Sequence, residues 1–141
     1  MTGVEVVKSD DVVRRLLRDA KTWAVVGLRD NPARPAYGAA RFLQQHGKRI
    51  VPVHQHAQDV HGERGYPTLA DIPFPVDVVD VFVNSARAGQ VADQAIAIGA
   101  RAVWFQLGVV DEAAFERVAE AGLDLVVDSC PTLEWHRLGP G

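Results

Sequence analysis

The sequence is poor in the residues that most often carry chemistry. Of its 141 residues one is cysteine, Cys130, so no internal disulfide can form, and this agrees with a reducing cytoplasm. No apolar run approaches the roughly 20 residues that cross a bilayer. The amino-terminal MTGVEVVKSDD lacks the basic-then-apolar order of a signal peptide. Basic residues are not in excess: the net charge is −3 and the pI near 5.9, without the electropositive footprint expected of a nucleic-acid binder. Serine occurs only at 9, 85 and 129. Ser85 reads as a helix cap rather than a nucleophile, and Cys130 as a small buried residue before a proline. His54, His56 and His61 share one loop at irregular spacing without a cysteine, so no metal set is expected. Asp77 and Asp80 flank a strand where solvent or loop contacts are expected. No nucleophile with a base, paired carboxylates or metal cluster emerges, which points away from an enzyme.

What is present is the pattern of one alternating α/β domain over residues 1–141, with 48% hydrophobic and 23% charged residues. Ser9 and Asp10 open a helix carrying Val12, Val13, Leu16 and Leu17 on one side. Strands are expected at 23–28, 49–53, 77–83, 102–107 and 123–127. Helices follow from Pro35 to about His46, after Ser85, and from Asp111, ending at Gly47, Gly99 and Gly122. TLADI between Pro67 and Pro75 reads as one helical turn, and the segment from Pro131 as a tail with Leu133, Trp135 and Leu138 packed back. Alternation at this spacing predicts a doubly wound, Rossmann-like parallel sheet of five strands with helices on both faces.

In such a sheet ligands lie beyond the carboxyl ends of the strands, beside the first one. The run WAVVGLRDNPARPAYGAARFL (Trp23–Leu43) carries most weight there. Gly27 allows a close backbone approach, Gly38 allows tight packing on sheet or ligand, and a helix amino-terminus offers N–H groups to an anion. Arg29 and Arg34 add charged donors. The spacing from Gly27 to Gly38 is longer than the G-x-G-x-x-G of dinucleotide sites. The second strand also ends in Val53, His54, Gln55 rather than in the acid that holds free ribose hydroxyls. Histidine there favours a phosphorylated ribose and disfavours NAD.

These runs, with YPTLADIP, VDVVDVF, AVWFQLGVV and CPTLEW, resemble the small stand-alone CoA-binding proteins, whose domain is similar to the amino-terminal domain of the succinyl-CoA synthetase alpha subunit. The resemblance implies coenzyme A along the carboxyl edge. Gly27, Leu28, Arg29, Pro35, Ala36, Tyr37 and Gly38 would line the phosphate and adenosine side. His54 would stand at the second strand's end, and Phe82, Val83 and Asn84 would flank the ligand. Phe82, Val83 and Gln106 suit a pantetheine arm, and Arg87 is a weaker candidate. The family often has VNP where this chain has VHQ, and serine at the position of Ala36. The synthetase relatives use a phosphorylated histidine in a separate domain and a nucleotide-grasping partner, neither of which this sequence contains. The expected role is therefore binding or regulation. An NAD(P)-dependent enzyme, a CoA-site subunit for an acyl-CoA synthetase partner, and a homodimer are the alternatives left open.

Overall fold

A computed structural model describes residues 9–139. Helix α1 (Asp10–Asp19) precedes β1 (Thr22–Val26), α2 (Pro35–Gln45) and β2 (Arg49–Val53). A single 3-10 turn at Leu69–Asp71 leads to β3 (Val78–Val81), α3 (Ser85–Ala97), β4 (Ala102–Phe105), α4 (Glu112–Glu120), β5 (Asp124–Val126) and α5 (Pro131–Leu138). The five strands form one parallel sheet in the order β2-β1-β3-β4-β5. This is the expected doubly wound sheet, and its strands are one to three residues shorter at the ends than the apolar runs, except β2.

The alternation of side chains along each strand builds two cores. Trp23, Val25, Ile50, Val78 and Trp104 face α1, α2 and α5, while Ala24, Val26, Val79, Val81, Val103 and Phe105 face α3 and α4. Both faces are therefore covered, which is why the strands are apolar throughout. Pro52 is tolerated because β2 is an edge strand. The sheet order reverses between β1 and β3. The β1–β2 crossover sends α2 to one face and the β3–β4 crossover sends α3 to the other, so the connections after β1 and β3 part and leave a crevice.

Three details differ from the sequence expectations. The cap of α3 is Asn84, whose carboxamide accepts from Arg87 N at 3.2 Å, one residue before Ser85. The segment from Pro131 is a helix, and it packs through Trp135 and Leu138 while Leu133 stays exposed. Asp80, expected in solvent or loop contacts, is wholly buried on the central strand β3, because the residue between Val79 and Val81 must enter the opposite core. Asp77 does make the loop contacts expected of it, accepting from Lys21 N and Thr22 N at 2.9 and 3.0 Å.

The connection from β5 to α5 is tied to β4 by a buried bond from Trp104 Nε1 to the Ser129 carbonyl at 2.9 Å and by Ser129 N, which donates to Phe105 O at 3.3 Å. Trp104→Phe leaves that carbonyl unpaired and a void beside Trp23, whose ring centroid is 5.5 Å away. The expected cost is about 2 kcal/mol, and urea denaturation measures it. No loss of stability would mean that the bond does not hold α5.

Candidate functional site

The crevice begins at Gly27. Its φ is +101° and a Cβ built on it would stand 2.7 Å from the Phe82 carbonyl oxygen, so no other residue fits. Gly27 N donates to Val53 O at 2.8 Å and Phe82 N donates to Val26 O at 2.9 Å, which locks together the carboxyl ends of β1, β2 and β3.

Two cavities open on either side of the β3–α3 connection, with Val83 in the wall of both. The larger, about 490 Å³, is mostly apolar: Pro35 and Ala39 of α2, Phe82, Leu107, Val109 and Cys130 line it, and Asn84 and Gln106 add polar groups. That volume falls within the range of small-molecule pockets. The smaller, about 220 Å³, is polar and lies among Gly27, His54, Gln55, Thr68, Arg87, Gln90 and Gln94.

Helix α2 points its amino-terminus toward this edge with Pro35 at its first position. It has no capping side chain and no acid in its first turn, whereas α1, α3 and α4 are capped by Ser9, Asn84 and Asp111. Its positive end is left for an outside anion.

Charge around the site is one-sided. His54 is held below its usual value, first by burial and then by His56 and the guanidinium groups of Arg29, Arg87 and Arg34. Among the described residues these three arginine side chains have no acidic, hydrogen-bonding or aromatic partner. Every other arginine does: Arg14, Arg15, Arg18, Arg101, Arg117 and Arg137 pair with acids, Arg41 bonds Gln44, and Arg49 and Arg64 lie over Phe74 and Tyr66. Three unpaired guanidiniums near one histidine form a basic cluster on a chain of net charge −3.

The expected residues are not all brought together. Gly27, Pro35, His54, Phe82, Val83, Asn84 and Gln106 line the cavities, with Arg29 and Arg34 near His54. Leu28 instead enters the core, fully buried with Leu16, Leu17 and Leu43, since the chain turns under the sheet after Gly27. Tyr37 turns to His61, its ring centroid 4.2 Å away and its carbonyl 2.7 Å from His61 Nε2. Gly38 meets nothing within 4 Å of a built Cβ, so it does not serve packing on the sheet; Ala36, Ala39, Ala40 and Leu43 do. Cys130 is half-buried in the cavity wall rather than a core residue. Arg87 belongs with the basic cluster, and its place in the first turn after β3 was the signal for it. Among the described residues no group of three or more His, Cys, Asp or Glu stands together as a metal would require. No helix there is long and apolar enough to cross a membrane.

Beneath the larger cavity lies an acid. Asp80 Oδ1 accepts from Gln106 Nε2 at 2.6 Å and Oδ2 has no partner. Burial pushes the acid up to about 8.

The fold, the cavities and the basic edge together describe a doubly wound domain with an apolar cavity and a cationic one at the carboxyl edge of its sheet. The chain belongs to the family whose model is described as a CoA binding domain, which matches residues 21–136. It is 31% identical over 118 residues to the uncharacterized protein YneT of Bacillus subtilis (strain 168), covering 84% of this chain and 87% of that one. A hypothetical protein from Pyrococcus horikoshii OT3 superposes with a TM-score of 0.90 at 34% identity, covering 98% of this chain and 99% of that one. The dinucleotide-forming acetyl-coenzyme A synthetase 1 of Ca. Korarchaeum cryptofilum shares the fold, with a TM-score of 0.69 at 22% identity; the match covers 83% of this chain and 27% of that enzyme.

The buried acid carries a pH signature. A raised folded value means that both states are protonated, and the fold most stable, below the ordinary 3.8; stability is then lost as pH climbs toward about 8, where folded Asp80 also ionises. Asp80→Asn removes that loss. In denaturation series from pH 4 to 8 the variant should gain on the wild type by roughly 1.4 kcal/mol per pH unit. Parallel curves would mean that Asp80 is ionised in the folded protein.

Proposed function

We propose that the chain binds coenzyme A, free or acylated, along the carboxyl edge of the sheet, as a non-catalytic carrier or regulatory module in the cytoplasm. The observation that carries the reading is the convergence of Arg29, Arg34 and Arg87 on His54, all three arginines without partners, beside the uncapped start of α2. Guanidinium groups and free helix N–H groups are strong phosphate donors. His54 stands where a dinucleotide site has its ribose-binding acid, which suits a ribose that carries a phosphate. The 490 Å³ cavity, apolar with two carboxamides, has the character a pantetheine arm requires. Bound there, the cofactor would supply a thiol or thioester, and this chain's residues would bind and orient it.

A non-catalytic role is supported by what the hydroxyls near the groove do. Ser85 Oγ accepts from Val110 N at 2.9 Å and contacts Gly108 O at 3.4 Å, and Ser129 Oγ donates to Val127 O at 2.8 Å. Neither is paired with a base. The second reading is an NADP-dependent enzyme, which the same basic cluster favours because that dinucleotide also carries a ribose phosphate. A role as the CoA-site subunit of a synthetase assembled in trans is a third, suggested by the shared fold, and a homodimer fits any of these.

CoA is expected to raise the melting temperature more than dephospho-CoA or NAD does. Equal shifts from CoA and dephospho-CoA would remove the ribose phosphate from the argument, and a larger shift from NADP would favour the second reading. By calorimetry Arg29→Ala, Arg34→Ala and Arg87→Ala should each weaken CoA about tenfold at low salt and less at high salt. Three unchanged affinities would leave these arginines as plain surface charge.

A further inference from the structure

We propose that Gln106 reads a carbonyl of the ligand, and that Asp80 is the positioning residue that turns the Gln106 carboxamide so that its NH2 faces the larger cavity. The proposal deepens the coenzyme A reading and rests on it for the ligand. Gln106 is itself 6% exposed, closes the end of β4 and lines the cavity. The atom it presents there depends on what its other atom does with Asp80.

In the structure Gln106 Nε2 donates to Asp80 Oδ1, at a separation of 2.6 Å. That separation is shorter than the roughly 2.7–3.2 Å of an N–H···O bond and normal for O–H···O, at about 2.5–3.0 Å. A half-turn of the carboxamide exchanges its nitrogen and oxygen. An Asp80 hydroxyl then donates to Gln106 Oε1, and the NH2 is released toward the cavity. The surroundings favour the neutral acid. Asp80 is flanked in register by Val25 on β1 and Trp104 on β4, and the face over it is built from residues such as Val13, Leu17, Ala36, Ala40 and Leu43. The buried acid on α5, Glu134, is paired with Arg137, and on the α1 side Arg15 pairs with Asp124. No charged group contributes to the shift of Asp80; burial raises it and only Gln106 opposes. A neutral carboxylic acid in an apolar site is a competent hydrogen-bond donor at pH 7. It also lessens the cost of the unpartnered Oδ2, since an orphaned neutral oxygen is far cheaper than an orphaned charge.

The second polar side chain of the cavity points to the same ligand chemistry. Asn84 Oδ1 is spent on Arg87 N as the cap of α3, which leaves its NH2 as the available group. Both carboxamides then offer donors and neither an acceptor. The matching ligand group is a carbonyl: an amide of the pantetheine arm or the thioester of an acylated one. When Asp80 ionises it accepts from Gln106 N–H instead, the carboxamide turns, and its oxygen faces the ligand carbonyl.

The test has two arms. In the ligand-free protein, carbon-13 NMR of the Asp80 carboxyl should show a midpoint near 8, with the Gln106 side-chain NH2 signals moving over the same range; a midpoint below about 5 overturns the proposal whatever the ligand. Calorimetry with an S-methyl thioether of CoA, whose sulfur cannot ionise, forms the second arm. Its affinity should fall about tenfold from pH 7 to 9.5 in the wild type, Asp80→Asn should flatten that profile, and Gln106→Met should weaken binding about tenfold at pH 7. Binding with a flat wild-type profile and an unaffected Gln106→Met overturns the proposal and leaves the coenzyme A reading standing. An Asp80 that titrates as expected in a protein that takes no thioether at any pH defeats the coenzyme A reading and with it the ligand half of the proposal.

Discussion

The approach of residue 27 to the Phe82 carbonyl is the contact on which the site depends. With a Cβ only 2.7 Å from that oxygen, the chain closes here for glycine alone. That closeness lets the ends of β1, β2 and β3 share backbone hydrogen bonds while their connections diverge to opposite faces. The crevice is thus a consequence of topology, and Gly27 sets how narrow its floor is. The two cavities meet at Val83 because the β3–α3 connection runs between them.

On that floor the chain distributes its polarity unevenly. One side collects cations without partners and a helix start without a cap, the other an apolar wall with two carboxamides. Elsewhere arginines are paired with acids, bonded to Gln44 or laid over rings, and α1, α3 and α4 are capped by side chains, though α5 is not. Leaving charge uncompensated costs stability through self-repulsion, and here the cost falls on the edge where the sheet order reverses. The proposed ligand, an anion with a long, weakly polar arm, matches both sides at once.

Much of this was legible in the sequence because it depends on short-range pattern. Apolar runs bounded by glycine, proline or polar residues located all five strands, and the Gly27 loop was recognisable from a strand running into a Gly–Pro–Arg segment. The residues misjudged are those whose meaning lies across the fold. Asp80 sits in DVVDV as its neighbour Asp77 does, yet one is a loop anchor and the other a buried acid whose partner Gln106 is 26 residues away. Leu28 follows the glycine of the loop and so seemed part of the site, until the turn carries it under the sheet. Arg87 was only a weaker candidate from its place after β3, and the fold is what sets it beside His54. The α5 helix was missed because its eight residues carry too few apolar positions to show a period.

The central claim is that one ligand spans both cavities from the loop after β1 to the end of β4. Hydrogen exchange read by mass spectrometry, with and without saturating CoA, tests it most directly. The account predicts protection concentrated in residues 27–38, 53–55, 82–87 and 106–109, with the rest of the sheet unchanged. Protection elsewhere, or none at saturation, would contradict it.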